Sequence, residues 1–105
     1  MDRKYVLKTL KQLKPELKEE GITLLGIFGS YARGDYTSQS DVDILYDIDD
    51  PKIFAQNFGG FAAFSHLEEL KNMIADKLNT KVDFVAKRGL NSVSEKYILR
   101  DLLYV

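Results

Sequence analysis

The residues able to do chemistry here are a glycine–serine pair and a short set of aspartates. Gly29-Ser30 closes an apolar run, Ile22-Thr23-Leu24-Leu25-Gly26-Ile27-Phe28, and ten residues later Asp41-Val42-Asp43 leads into another, Val42-Asp43-Ile44-Leu45-Tyr46. Residues two apart in a strand point to one face, with Cα atoms roughly 6.6 Å apart, so the carboxylates of Asp41 and Asp43 can converge. Two like charges so placed repel unless a proton or a cation intervenes. Hard oxygen ligands suit Mg²⁺, which takes one or two carboxylates plus substrate phosphates. A converging pair can bridge two ions about 3.5–4 Å apart, the spacing of two-metal phosphoryl-transfer sites. Gly29 and Ser30 supply the complementary half. A residue without Cβ lets a phosphate approach the backbone, N–H groups at a helix start favour anions, and the Ser30 hydroxyl adds a donor. A Walker P-loop is excluded, since no Gly-Lys-Ser/Thr follows a strand.

A third acid belongs to this set. Asp83 lies in a short apolar strand, Lys81-Val82-Asp83-Phe84-Val85, where a buried carboxylate without a partner is expensive. Pairing of this strand beside Asp41 and Asp43 resolves the cost. Asp83 would then ligate the metal nearest an attacking hydroxyl or accept its proton. The alternative is an edge-strand acid facing water.

Gly29-Ser30, ten residues, then Asp41-Val42-Asp43 resembles the signature of nucleotidyltransferases related to DNA polymerase β. The fuller text, Gly29-Ser30-Tyr31-Ala32-Arg33-Gly34 with Ser40-Asp41-Val42-Asp43-Ile44-Leu45, looks like the minimal nucleotidyltransferases, and the likeness spans nearly the whole chain. The resemblance implies an α+β fold, a polymerase β-like core with a small mixed sheet of about three strands packed with helices. It implies Mg²⁺-dependent transfer of AMP from ATP, with two ions held by Asp41, Asp43 and Asp83 as the catalytic acids. Gly29 and Ser30 would bind the β- and γ-phosphates of the leaving pyrophosphate. The acceptor it implies is a tyrosine of a HEPN-domain toxin, for which such proteins serve as antitoxins. For Arg33, phosphate contact stands against a surface salt bridge.

Composition sets the limits. With 105 residues and 12.0 kDa, a single domain over residues 1–105 with one core is expected. A formal net charge of -1 offers no attraction to nucleic acid, against a polymerase-like grip on a duplex. No cysteine and one histidine exclude thiol chemistry, disulfides and a histidine-rich zinc site. No apolar run approaches the roughly 18 residues of a membrane span, and no signal-peptide core follows the charged start, so a cytoplasmic location is expected.

Around the motif, periodicity places the elements. Val6, Leu10, Leu13 and Leu17 form one helical stripe, with Asp2 as N-cap, Pro15 kinking or splitting the helix, and Gly21 ending it. Leu24 to Phe28 is apolar on both faces and reads as a central strand. Residues 36–40 form a polar loop over the site. The strand from Val42 to Ile48 ends at Asp49-Asp50-Pro51, where these aspartates and Asp47 read as turn and solvent residues. Phe54, Phe58, Phe61 and Phe64 recur at helical intervals across a Gly59-Gly60 break, read as core in preference to a base-stacking wall. Leu67, Leu70, Met73, Ile74 and Leu78 mark a second helix, with Ser65 and Glu68 at capping-box spacing. His66 reads as a partly exposed first-turn residue. Lys87 and Arg88 are placed near the phosphates, and Ser94 to Tyr104 reads as a last helix.

Two other functions compete. One is an antitoxin that blocks its partner by contact alone, using apolar Leu103, Tyr104 and Val105 as an interface. The other is transfer to a small molecule such as an aminoglycoside, although those related enzymes usually carry an additional substrate-binding domain.

Overall fold

Helix α1, Arg3–Glu19, opens on Asp2, whose carboxylate accepts from the Tyr5 amide at 3.0 Å, satisfying one of the orphan donors of a helix start. Its stripe of Val6, Leu10, Leu13 and Leu17 is buried. Pro15 lies inside it without starting a second segment, one of the two outcomes expected from sequence. Leu13 and Leu17 are buried on either side, so packing of the stripe outweighs the one backbone bond that proline removes. The structure, a computed structural model, describes residues 2–57 and 59–105.

Four strands form one sheet in the order β3-β2-β1-β4. β1 (Ile22–Phe28) pairs antiparallel with β2 (Val42–Ile48), which pairs parallel with β3 (Val82–Ala86); β4 (Leu103–Tyr104) adds antiparallel to β1. β1 is central, as its two apolar faces require. The sheet has one strand more than expected. The last helix, α5, covers only Ser92–Asp101 and is capped by Asn91, whose side chain accepts from the Ser94 amide at 2.8 Å. The chain then turns into β4, and Gly26 is what admits it: a Cβ there would lie 2.1 Å from the Leu103 carbonyl oxygen.

A β-bulge at Leu25 breaks the β1–β2 register, since Leu24 opposes Tyr46 while Gly26 opposes Leu45. Ile22 and Leu24 face the main core before it, and Ile27 faces it after. This face of the sheet, with Val42, Ile44, Tyr46 and Val82, is covered by α1 and by α4, Phe61–Leu78, whose Leu70, Ile74 and Leu78 are buried. Truncating one such residue, Ile44 for instance, is expected to cost about 2–5 kcal/mol. Leu45 and Leu102 are buried outside that cluster, on the sheet's second side.

α2 (Gly29–Arg33) is the short turn after β1, and α3 (Pro51–Asn57) follows β2. Asp50 is more than a solvent residue, because its side chain caps α3 through the Ile53 amide at 3.1 Å. Helix α4 begins at Phe61 with Gly60 as N-cap, so Ser65 and Glu68 lie inside it and form no capping box. Of the four phenylalanines, Phe54 is core, whereas Phe61 and Phe64 are 95% and 73% exposed. Phe58 lies outside the described residues. His66 Nε2 sits 2.9 Å from Glu20 Oε2, tying α4 to the end of α1.

Candidate active site

The two strand pairings bring the motif together. Asp43 opposes Phe28 across β1–β2 and Asp83 across β2–β3, so the acid of β2 stands between the glycine–serine corner and the acid of the edge strand. Asp41 immediately precedes β2, with its backbone neighbour Val42 donating to the Lys81 carbonyl at 2.9 Å. Asp83 is exposed and Asp43 half-buried. β3 is indeed an edge strand, and the acid on it faces Asp43 as well as water.

Gly29 is the corner's fixed point. Its φ of +71° lies in the left-handed region, and a Cβ on it would fall 2.1 Å from Asp43 Oδ2. Backbone conformation and space both demand glycine here. Ser30 follows as the second residue of α2, a helix whose N-cap, Phe28, offers no side-chain bond to its first N–H groups.

Electrostatics at this end are crowded with like charge. Burial pushes the Asp43 carboxyl up to about 6, reinforced by its hydrogen bond with Asp83 and by the charges of Asp83 and Asp41; Arg33 pulls it partly back. A carboxyl pair that shares a proton when no cation is near is what a divalent-ion site of hard oxygen ligands looks like chemically. The donor set therefore fits Mg²⁺. Among the described residues no group of three acidic, histidine or cysteine side chains is placed to hold a metal ion, so the donor set this geometry offers is the Asp43–Asp83 pair, with Asp41 near enough to add charge.

Arg33, in the last turn of α2, has Nε 3.3 Å from Asp35 and Nη1 3.6 Å from Asp101 of α5. The salt bridge expected as one alternative is present, within electrostatic reach of Asp43. The other two basic residues expected near the site are misplaced by the sequence argument. Arg88 follows the far end of β3, bonding Asp47 at 3.1 Å and the Ile48 carbonyl at 2.7 Å. Because β2 and β3 run parallel, the residues after β3 lie at the opposite end of the sheet from Asp43 and Asp83. Asp47 is thereby an ion-pair partner and not a free turn residue.

Sequence reasoning also missed what steadies the loop. Tyr31 and Tyr36 stack at 4.2 Å with planes 8° apart, Tyr36 OH accepts from the Arg3 amide at 3.3 Å, and Arg3 Nη1 donates to the Ala32 carbonyl at 2.9 Å. Thr37 and Ser40 close a turn, the Thr37 amide donating to Ser40 Oγ at 2.9 Å. Two tyrosines flanking Arg33-Gly34-Asp35 were the available signal. Nothing in the pattern marked Arg3.

The nucleotidyltransferase domain family matches residues 10–104, which contain the glycine–serine corner and all three acids. The chain belongs to that family. This nucleotidyltransferase is 38% identical over 98 residues to "Putative protein adenylyltransferase MJ0126" of Methanocaldococcus jannaschii, covering 91% of its own length and 90% of the relative's. It is also 38% identical over 93 residues to the protein adenylyltransferase MntA of Thermococcus cleftensis, covering 88% and 84%. Its fold matches a solved structure described as a "putative minimal nucleotidyltransferase" with TM-score 0.74 at 23% identity, over 100% of this chain and 97% of that one. A second solved structure, a toxin–antitoxin with AMP-PNP, aligns with TM-score 0.52 at 25% identity over 90% of this chain and 64% of that one. The α+β fold and the family inferred from the Gly-Ser and Asp-Val-Asp spacing therefore hold for this enzyme. Among its described residues no helix is long and apolar enough to cross a membrane.

Proposed function

We propose that this nucleotidyltransferase transfers AMP from ATP to a hydroxyl of a partner protein, a tyrosine of a HEPN-domain toxin, and thereby acts as a cytoplasmic antitoxin. The observation that carries the proposal is the pairing of Asp43 with Asp83 against Gly29. The relatives named as protein adenylyltransferases and the toxin–antitoxin neighbour with AMP-PNP support the choice of nucleotide and partner.

Mg²⁺, held by Asp41, Asp43 and Asp83, would supply neutralisation of the triphosphate's charge. The chain's own residues do the rest. Gly29 and Ser30, at the open start of α2, hold the β- and γ-phosphates through backbone N–H groups and the Ser30 hydroxyl. Arg33 adds a cation beside them. The acceptor oxygen attacks the α-phosphorus, the bond from that phosphorus to the bridging oxygen breaks, and pyrophosphate leaves. Asp83, the exposed member of the pair, takes the acceptor's proton. Such transition states ask mainly for positioning and charge stabilisation.

The test is labelled ATP and Mg²⁺ with the product of a neighbouring HEPN gene, comparing the native chain with Asp41→Asn/Asp43→Asn. Label on the partner with the native chain alone supports transfer. Absence of label, with the double variant neutralising the partner equally well, replaces transfer by antitoxin action through contact. Label on an aminoglycoside hydroxyl without any protein partner would move the acceptor to a small molecule.

A further inference from the structure

The tail residues expected to form an interface are largely committed elsewhere. Leu103 and Val105 pack against the core, and the Val105 amide donates to the Leu25 carbonyl at 3.1 Å. Of that tail Tyr104 stays open, 69% exposed, and a further exposed apolar surface lies on α5, where Val93 and Tyr97 are 63% and 61% exposed. No residue of α5 is buried. Ser92, Val93, Lys96, Tyr97 and Arg100 line an open, mainly apolar trough of about 700 Å³. Arg100 lies over the Tyr97 ring at 5.2 Å, stiffening it.

Position separates this surface from the other exposed apolar patch. Phe64 borders Tyr46 and Phe84, a stacked pair towards the end of β2 that carries Asp47 and Arg88. The trough's helix is joined to the catalytic turn itself, through Asp101 and Arg33. An acceptor hydroxyl has to reach Asp83, which is exposed, and Asp43 beside it, so its carrier needs a foothold beside the acids.

We propose that the α5 ridge of Val93, Tyr97, Lys96 and Arg100 is the docking surface for the acceptor protein, through a segment apolar at its centre and acidic at its rim. The trough's lining holds Lys96 and Arg100 and no acid, Arg100 alone having a carboxylate near it, Asp101 at 3.6 Å, in a chain whose net charge is -1. That pattern selects an acidic partner surface and disfavours a second copy of the ridge, which would bring four cations together. An exposed aromatic beside an arginine is also the composition from which binding hot spots are built. The inference rests on protein acceptance as proposed above.

The experiment measures label transfer from ATP to the neighbouring-gene product, with acceptor KM, ATP KM and direct binding for Tyr97→Ala, Lys96→Glu/Arg100→Glu and, as a control, Phe61→Ser/Phe64→Ser. All positions are exposed, and circular dichroism checks that each variant keeps its fold. The expected result is an acceptor KM and dissociation constant raised at least tenfold for the two ridge variants, with ATP KM unchanged and the phenylalanine variant like the native chain. Native acceptor KM in both ridge variants overturns the docking surface while leaving transfer intact. A tenfold loss only in the phenylalanine variant also overturns it, moving the partner to the other end. No label from the native chain removes the transfer reading and this inference with it.

Discussion

Asp43 and Asp47 occupy one face of one strand, four residues apart, and their surroundings settle their charges in opposite ways. Asp47 has an arginine: Arg88 bonds it and the next carbonyl, and the Ile48 amide donates to it at 2.9 Å. Asp43 has acids: its hydrogen-bond partner is Asp83, with Asp41 adding like charge and Arg33 only partly offsetting it. A strand that pairs one aspartate with an arginine and crowds the other with its own kind has one structural end and one end of unrelieved charge. The unrelieved end is where a cation and a polyphosphate would complete the electrostatics.

The sharpest way to break this contrast is to remove charge from each end in turn. Asp43→Asn or Asp83→Asn is expected to lower nucleotidyl transfer at least about 10²-fold, while Arg88→Ala stays within twofold of native, measured as initial rates with labelled ATP. An Asp83→Asn variant with intact turnover would take Asp83 out of the site.

Next in size is the pair of glycines at the two ends. Gly29→Ala places a methyl 2.1 Å from Asp43 Oδ2 at φ +71° and is expected to cost about 1–3 kcal/mol in denaturant unfolding. Gly89, past Arg88, would meet nothing within 4 Å, so Gly89→Ala should stay within about 0.5 kcal/mol.

The pairing of Asp83 with Asp43 was legible because a charge in an apolar strand demands a partner, and β3 does lie beside β2 in that register. The fourth strand was not. Leu103-Tyr104 is only two residues long, and its pairing depends on the missing side chain of Gly26, a long-range contact that periodicity does not encode. Arg88 was misplaced for a topological reason: nearness in sequence to Asp83 suggested nearness in space, but five residues of extended strand carry the chain to the far edge. Phe61 and Phe64 kept helical spacing yet face solvent, because spacing identifies a stripe without saying whether anything covers it.

A subtler contrast is in pH and Mg²⁺. The folded Asp43 carboxyl titrates near 6, above its ordinary 3.8, so the folded state holds its proton more tightly than the unfolded chain. This contribution is present in full below about pH 4 and is lost as pH rises through about 6. In chelator-treated buffer, Asp43→Asn should therefore raise the melting temperature at pH 8 by a few degrees. Added Mg²⁺ should stabilise the native chain at pH 8, and Asp43→Asn should abolish that gain. Asp47→Asn should leave the Mg²⁺ response as it is.

The smallest effect belongs to the structural end. Arg88 is 59% exposed in its bond with Asp47, so Arg88→Ala should cost under about 1 kcal/mol and less in high salt. A larger loss would mean that the Asp47 end bears more of the fold than its exposure suggests.

The single extra residue at Leu25 has a consequence for which side of the sheet the enzyme works on. Side chains alternate, so one inserted position switches the face of everything downstream in the strand: Ile27 turns inward where unbroken alternation from Leu24 would have turned it out. Excising Leu25 would rotate the strand's exit by half a period and aim the Gly29-Ser30 corner at the side roofed by α1 and α4. Parity in one strand, as much as the identity of any acid, decides that Gly29 and Asp43 share a side of the sheet.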